Sequence, residues 1–211
     1  MRYVRDRISA FLVDMLFITI LVTLTANVNY LNPTLYDMQD ATEKYYEVYD
    51  KVMEDAEKDP ENSYKILAKK LAKPIYNLEK TTKYYYLHYL IFVIIYFIIF
   101  QFWNNGQTLG KKIFKLRVVN NEDENPSIIQ YIVRNLINGS SVVIGLNIVV
   151  LIRMICLFIG IGANPYFYTY MISQSLAMVL EGILLITLVF SRKNKALNDY
   201  IAGTKVISLR D

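Results

Sequence analysis

The sequence predicts an all-α integral membrane protein with four transmembrane helices, an external helical hairpin and short extended segments on the cytoplasmic side. Hydrophobic residues make up 54% of the 211-residue chain, and the mean hydropathy is +0.25. These residues are gathered into runs of roughly 20, the length that a helix needs to cross a bilayer. Basic residues flank the runs in clusters, which gives the predicted spans an orientation.

The predicted spans cover residues 8–28, 84–103, 136–152 and 172–190. The second span, YYYLHYLIFVIIYFIIFQFW, has tyrosines at one end and Trp103 at the other, as expected of aromatic residues at membrane interfaces. Between the third and fourth spans the apolar core is too short to cross, so we expect a turn at the membrane surface. A cleaved signal peptide is the alternative for the first span. It is disfavoured because Asp14 interrupts a long apolar core and no good cleavage site surrounds Ala26.

Three basic clusters orient the spans, because Lys and Arg in short loops mark the cytoplasmic side. With four spans all three clusters fall on one side, so both termini are predicted to be cytoplasmic. Abundant Ile, Tyr, Asn and Lys favour a bacterial source, and hence its cytoplasmic membrane. The clusters are Arg2, Arg5 and Arg7; Lys111, Lys112, Lys115 and Arg117; and Arg192, Lys193 and Lys195.

Residues 29–83 are polar and rich in charges of both signs, and they are predicted to form an extracytoplasmic helical insert. Apolar side chains recur at intervals of three and four on both sides of DPENS, which is typical of two amphipathic helices. We expect a hairpin that packs on itself or lies on the membrane; a partner-binding role is the alternative. The stripes are Leu35, Met38, Thr42, Tyr45, Tyr49, Val52 and Ala56, and then Tyr64, Leu67, Leu71, Ile75 and Leu78.

The loop after the second span contains GQTLGKKIFKLRVV, residues 106–119. Its GQTLGKK differs from a phosphate-binding loop, because only three residues separate the glycines and no Ser or Thr follows the lysines. IFKLRVV alternates between apolar and basic residues, and the tail AGTKVISL alternates as well. These two stretches are predicted to be extended and to pair at the cytoplasmic surface, with the basic residues towards lipid headgroups. Ser127 is predicted to begin an amphipathic helix that carries Arg134.

Charged side chains inside the spans are the candidate functional residues, because each costs at least about 2.5 to 3.5 kcal/mol near the bilayer centre. Asp14 lies about 9 Å into the first span, with Arg7 below it on the same helix face. Glu181 lies near the middle of the fourth span. A buried Asp14–Glu181 pair would let a proton or small cation bind and leave. The alternative is structural, with Asp14 bridging to a polar group on another helix. Arg153 reaches Glu181 only if the third span is long or the outer loop dips into the membrane.

The composition and motifs exclude several classes of function. A single cysteine, Cys156, rules out an internal disulfide, and the sequence contains no metal-ligating cluster. It contains no nucleophile triad and no cofactor motif, so an enzyme is not predicted and no cofactor is expected. The formal charge of +4 is modest, and nucleic acid is not an expected partner. The expected partners are the lipid bilayer, a small cation or proton, and a second copy of the chain.

Three separated motifs resemble the RDD family of membrane proteins, which is named for one arginine and two aspartates. RISAFLVD supplies Arg7 and Asp14, and KALNDYIAGTKVI supplies Asp199. Between them lies a cytoplasmic motif that resembles the family's loop after the second span and the helix that follows it. That motif comprises Gly106, Gln107, Thr108, Gly110, Lys111, Arg117 and Arg134. The resemblance covers most of the chain except the insert at residues 29–83.

The resemblance implies a multi-pass membrane protein of uncertain activity. It suggests transport, with cation/proton antiport reported for some relatives, or alternatively a non-catalytic scaffold that binds a partner. Near Asp199 the family more often has an arginine and a histidine, where this chain has Lys195 and Asn198. No titrating histidine is therefore expected there. Because Arg7 and Asp199 both fall at the cytoplasmic boundary, we expect them to form an ion pair, with Asp14 deeper in the membrane.

Overall fold

The described part of the chain, residues 2–140, 145–191 and 195–210 of a computed structural model, is mainly helical. A 3₁₀ turn at Pro60–Asn62 precedes the third helix, and a π-helical stretch at Ile94–Phe100 extends it. Two small antiparallel sheets pair β1 (Leu116–Asn120) with β4 (Thr204–Ser208), and β2 (Gly139–Ser140) with β3 (Gly145–Leu146). The helices are α1 (Arg2–Ala26), α2 (Leu35–Lys58), α3 (Ser63–Val93), α4 (Gln101–Trp103), α5 (Leu109–Ile113), α6 (Ile128–Leu136), α7 (Asn147–Ile159), α8 (Ala163–Phe190) and α9 (Leu197–Ala202).

Among the described residues, three helical segments are long and apolar enough to cross a membrane: Tyr3–Ala26, Pro60–Trp103 and Ala163–Phe190. They overlap the predicted first, second and fourth spans. The second segment is 44 residues long, because the helix that contains the predicted span 84–103 begins within the insert. The last segment begins at Ala163, nine residues before the predicted start of the fourth span at residue 172. The helix is longer because the turn expected before this span is limited to the residues between α7 and α8. The length and the hydropathy of these helices are typical of a membrane protein.

The third predicted span, residues 136–152, is not one continuous helix. Leu136 ends α6, Gly139–Ser140 pairs with Gly145–Leu146, and α7 begins only at Asn147. Residues 141–144 lie outside the described part of the chain. The physical reason is local, because Gly and Ser at 139 and 140 have low helix propensity. The Asn147 side chain also bonds to the Asn135 carbonyl at 2.7 Å and so holds the start of α7 against the end of α6.

One compact unit comprises Leu24–His88 and Val149–Ser175. Both helices expected in the insert are present in it, as α2 and as the first part of α3. Apolar side chains from α2 and α3 pack with others from α7 and α8. This packing buries Val52, Ala56, Leu71 and Ile75 of the predicted stripes, whereas Tyr64 is 51% exposed. The core is formed by Val52, Leu71, Ala72, Ile75, Leu157, Tyr166 and Phe167. The extracytoplasmic location of the insert stays a prediction.

The other compact unit comprises Met1–Thr23, Tyr89–Ile148 and Leu176–Asp211. It holds the motifs that resemble the RDD family. Arg192 and Lys193, from the third predicted basic cluster, lie outside its described residues. Its core joins the first helix, the end of the second span, the β1–β4 sheet and α6. The core residues are Ala10, Ile98, Leu116, Val118, Tyr131 and Val206.

The predicted pairing of the two extended stretches is confirmed. β1 and β4 are antiparallel, with Val118 opposite Val206 and Asn120 opposite Thr204. Leu116 and Val118 are buried and Arg117 between them is only partly so, which is the alternation read from the sequence; Val119 is buried as well and departs from it. The sheet therefore joins the loop after the second span to the tail after the fourth.

Candidate functional site

Asp14 of α1 is fully buried and surrounded by hydrogen-bond donors. The Tyr96 hydroxyl and the Gly110 amide donate to its Oδ1 at 2.6 and 2.7 Å. The Thr108 hydroxyl donates to Oδ2 at 2.5 Å, and the Lys111 ammonium lies 3.7 Å from the same oxygen. Three hydrogen bonds and a nearby cation compensate the cost of burying this carboxylate. Asp14 is thus bound by the cytoplasmic motif and by the π-helical stretch.

The local conformation of the loop explains how it reaches Asp14. Thr108 is the N-cap of α5 and accepts a bond from the Lys111 amide, and the Gly110 amide in the same turn donates to the carboxylate. Gly110 touches α1 so closely that a Cβ atom there would lie 2.1 Å from the Ala10 carbonyl oxygen. A residue without a side chain is therefore required at this contact.

The rest of the cytoplasmic motif fixes the loop to the sheet. Gly106 has φ +82°, and its carbonyl accepts bonds from the Val118 amide and the Gln101 side chain, both at 3.0 Å. Gln107 donates to the Leu116 carbonyl at 2.8 Å. Both residues therefore have structural roles.

Asp199 of α9 forms a second buried carboxylate site. Arg7 donates to its Oδ2 at 2.6 Å, Arg134 donates to its Oδ1, and the Ala196 amide donates to Oδ2 at 2.9 Å. Burial opposes ionisation, but Arg134 and Arg7 outweigh it and lower the pKa of Asp199 to about 2. The expected Arg7–Asp199 ion pair is present, and Arg134 completes it. Arg134 also donates to Thr204 at 3.0 Å, which ties α6 and α9 to β4.

Glu181 of α8 lies at a different place, on a cavity of about 290 Å³ that we call the polar cavity. Arg7, Lys111 and Arg134 also line the cavity, and we call these three side chains the basic wall. Burial lowers the pKa of the Lys111 ammonium to about 8, although Asp14 opposes that shift. Asp14 is absent from the described lining of the polar cavity, and its described contacts do not include Glu181.

A further buried charge cluster lies in the unit that contains α2. Its arginine, Arg153, was identified from the sequence, but its carboxylate, Glu79, was not. Arg153 forms an ion pair with Glu79, through a 3.1 Å bond from Nε. Tyr166 donates to Glu79 at 2.8 Å, and Tyr86 donates to it at 3.3 Å. Glu79 lies four residues after Ile75, on the predicted apolar stripe. A carboxylate on a buried helix face was the signal that could have identified it.

Metal binding finds no support in the described residues. Within 2–140, 145–191 and 195–210, no three His, Cys, Asp or Glu side chains are grouped so as to hold an ion.

A sequence model described as the RDD family matches residues 2–203. The chain belongs to the RDD family. Searches of the curated proteins and of the solved structures return no match. The arginine and the two aspartates that the sequence analysis matched to the family's name divide between the two carboxylate sites. Asp14 binds the loop after the second span, whereas Arg7 and Asp199 bind each other.

Proposed function

We propose that this RDD family protein exchanges protons for monovalent cations across the bacterial cytoplasmic membrane, with Glu181 as the carboxylate that binds either ion. The observation that supports the proposal is the position of Glu181, on a helix able to span the membrane and on the wall of the polar cavity. An ionisable side chain so placed is a functional candidate by default, because the membrane interior penalises charge.

Four membrane crossings are part of the proposal. β1 follows the second span and β4 follows the last span, and because these strands pair, both ends of the intervening chain lie on one side. α8 crosses once between them, so the segment from α6 to α7 has to cross once as well. α7 has 13 residues and spans about 20 Å, so it makes the larger part of this crossing. The basic clusters support a cytoplasmic position for both termini.

The balance of charge around the polar cavity supports exchange at one carboxylate. The three cations of the basic wall are matched by Glu181 and by the two family aspartates that hold the wall. A proton or a monovalent cation bound to Glu181 adds the same single positive charge. The two ions therefore compete for one group, which is the condition for exchange. Both carboxylate oxygens of Asp14 accept hydrogen bonds from other groups of the protein. We therefore assign the exchanging role to Glu181 and not to the Asp14–Glu181 pair.

Proton flux in proteoliposomes tests this function. A sodium, lithium or potassium gradient is imposed on vesicles with the wild type, Glu181→Gln or the control Asp50→Asn on α2. We expect Glu181→Gln to abolish flux while the protein stays monodisperse, and Asp50→Asn to retain it. Flux that persists in Glu181→Gln, or no wild-type flux with any of the three ions, would overturn the proposal.

A non-catalytic scaffold is the second candidate, and the engagement of the two family aspartates favours it. Asp14 and Asp199 both hold cytoplasmic elements together, so they stabilise a surface that a partner, or a second copy of the chain, could bind. In this case Asp14→Asn should reduce assembly in a cross-linking assay in membranes. A wild type that carries flux and shows no cross-linked species would exclude the scaffold.

A further inference from the structure

The polar cavity is lined by basic, amide and apolar side chains. The basic wall faces the cavity with three cations, and Glu181 is the carboxylate of the lining; Asp14 and Asp199, which pair with the wall, are not among the lining residues. Apolar side chains from α1, α8 and the end of the second span also line the cavity. Such a lining suits a ligand that carries a negative charge next to a hydrophobic part.

Two polar groups at the cavity have hydrogen-bonding capacity to spare. Asn198 is only 6% exposed, and its Oδ1 has no hydrogen-bond partner among the described residues. Arg134 makes its described bonds through Nη1, to Asp199 and Thr204, so its other N–H groups face no acceptor from the described chain. Buried polar groups are normally satisfied. A ligand that accepts from arginine and donates to Asn198 would satisfy both.

The cavity also reaches the lipid-facing surface. Leu12 on α1 and Leu185 on α8 both line it, and they are 60% and 57% exposed. Both helices are candidate membrane spans, so in a bilayer these leucines meet acyl chains. A ligand could therefore place its charged group against the basic wall while its apolar part remains in the hydrocarbon.

We propose that the polar cavity binds the headgroup of an anionic phospholipid. The phosphate lies against the basic wall, a headgroup hydroxyl donates to Asn198, and the acyl chains leave past Leu12 and Leu185. A volume of about 290 Å³ is at the small end of ligand sites and suits a compact headgroup. Phosphatidylglycerol has the required anion and hydroxyl donors, whereas phosphatidylcholine has no net charge and no headgroup donor. The proposal is independent of whether the protein moves ions.

Lipid binding is measured on the full-length protein in detergent, by native mass spectrometry and by thermal unfolding with added lipid. We expect phosphatidylglycerol to bind at least roughly tenfold more tightly than phosphatidylcholine, because one charge-assisted hydrogen bond contributes enough binding free energy for that difference. Glu181→Gln should strengthen the binding, because it removes the negative charge from the lining. Asn198→Leu should weaken it by roughly threefold to tenfold, the loss of one ordinary hydrogen bond.

A matched pair of tryptophan variants locates the site. Leu184→Trp fills the cavity one turn from Glu181 and should abolish the preference for phosphatidylglycerol. Ile186→Trp, at a 59% exposed position of the same helix, should keep it. Equal binding of the two lipids, or a preference that survives both Leu184→Trp and Asn198→Leu, would overturn the proposal. Tight binding of soluble glycerol 3-phosphate that matches phosphatidylglycerol would also overturn it, in favour of a site for free anions.

Discussion

Gly110→Ala is expected to break the contact between the cytoplasmic motif and α1. A Cβ atom at this position would lie 2.1 Å from the Ala10 carbonyl oxygen and 2.8 Å from Oδ1 of Asp14. Real Cβ atoms keep at least 3.0 Å from other heavy atoms, and a backbone carbonyl inside a helix cannot rotate away. α5 therefore has to move away from α1 when the methyl group is added.

The size of the effect follows from the bonds that this movement breaks. The Gly110 amide and the Thr108 hydroxyl donate to Asp14 at 2.7 and 2.5 Å, so a shift that relieves the clash carries both past hydrogen-bonding distance. A hydrogen bond to a charged group contributes about 1.5 to 3 kcal/mol, and more when the charge is left buried. We expect the free energy of unfolding to fall by about 3 to 6 kcal/mol.

Gly182→Ala is the matched control, because a Cβ atom at Gly182 of α8 would meet nothing within 4 Å. Alanine has the higher helix propensity, so this change should leave stability unaltered or raise it by up to about 1 kcal/mol. Reversible unfolding of both variants in mild detergent compares them. If Gly110→Ala unfolds at the same denaturant concentration as the wild type, the close approach of α5 and α1 is wrong.

Three other changes test the buried charges. The pKa of Asp199 is lowered from 3.8 to about 2, so above pH 4 its ionisation contributes about 2 kcal/mol to the free energy of unfolding. This contribution is lost as the pH falls through 2. In acid unfolding, Asp199→Asn should therefore lack this part of the pH dependence of stability. The pKa of Lys111 is lowered from 10.5 to about 8, so between pH 8 and pH 10 the unfolded state binds a proton that the folded state has released. The free energy of unfolding should therefore rise as the pH increases from 8 to 10. Lys111→Met should abolish that rise and Lys112→Met should retain it; equal slopes would refute the assignment. Arg153→Met should lower the free energy of unfolding by about 3 to 5 kcal/mol, since it leaves Glu79 buried without its cation, and adding Glu79→Gln should recover part of the loss.

The amino-acid sequence by itself determined the elements that depend on local patterns. Runs of apolar residues identified the spans in α1, α3 and α8, and the alternation of IFKLRVV and AGTKVISL identified the β1–β4 sheet. The three RDD motifs identified the family, and the position of Arg7 and Asp199 at one membrane boundary predicted their ion pair. Each of these depends on residues near one another in sequence, or on a constraint that the bilayer imposes everywhere.

Only the tertiary structure decided which buried charges meet. Asp14 has its partners in Tyr96 and the loop at 108–111, and Arg153 has Glu79, because each choice depends on how helices distant in sequence pack together. The described lining of the polar cavity includes Glu181 and does not include Asp14. A one-dimensional pattern records that a carboxylate is buried. Which donors bind that carboxylate is determined by tertiary contacts between helices and loops that are distant in sequence.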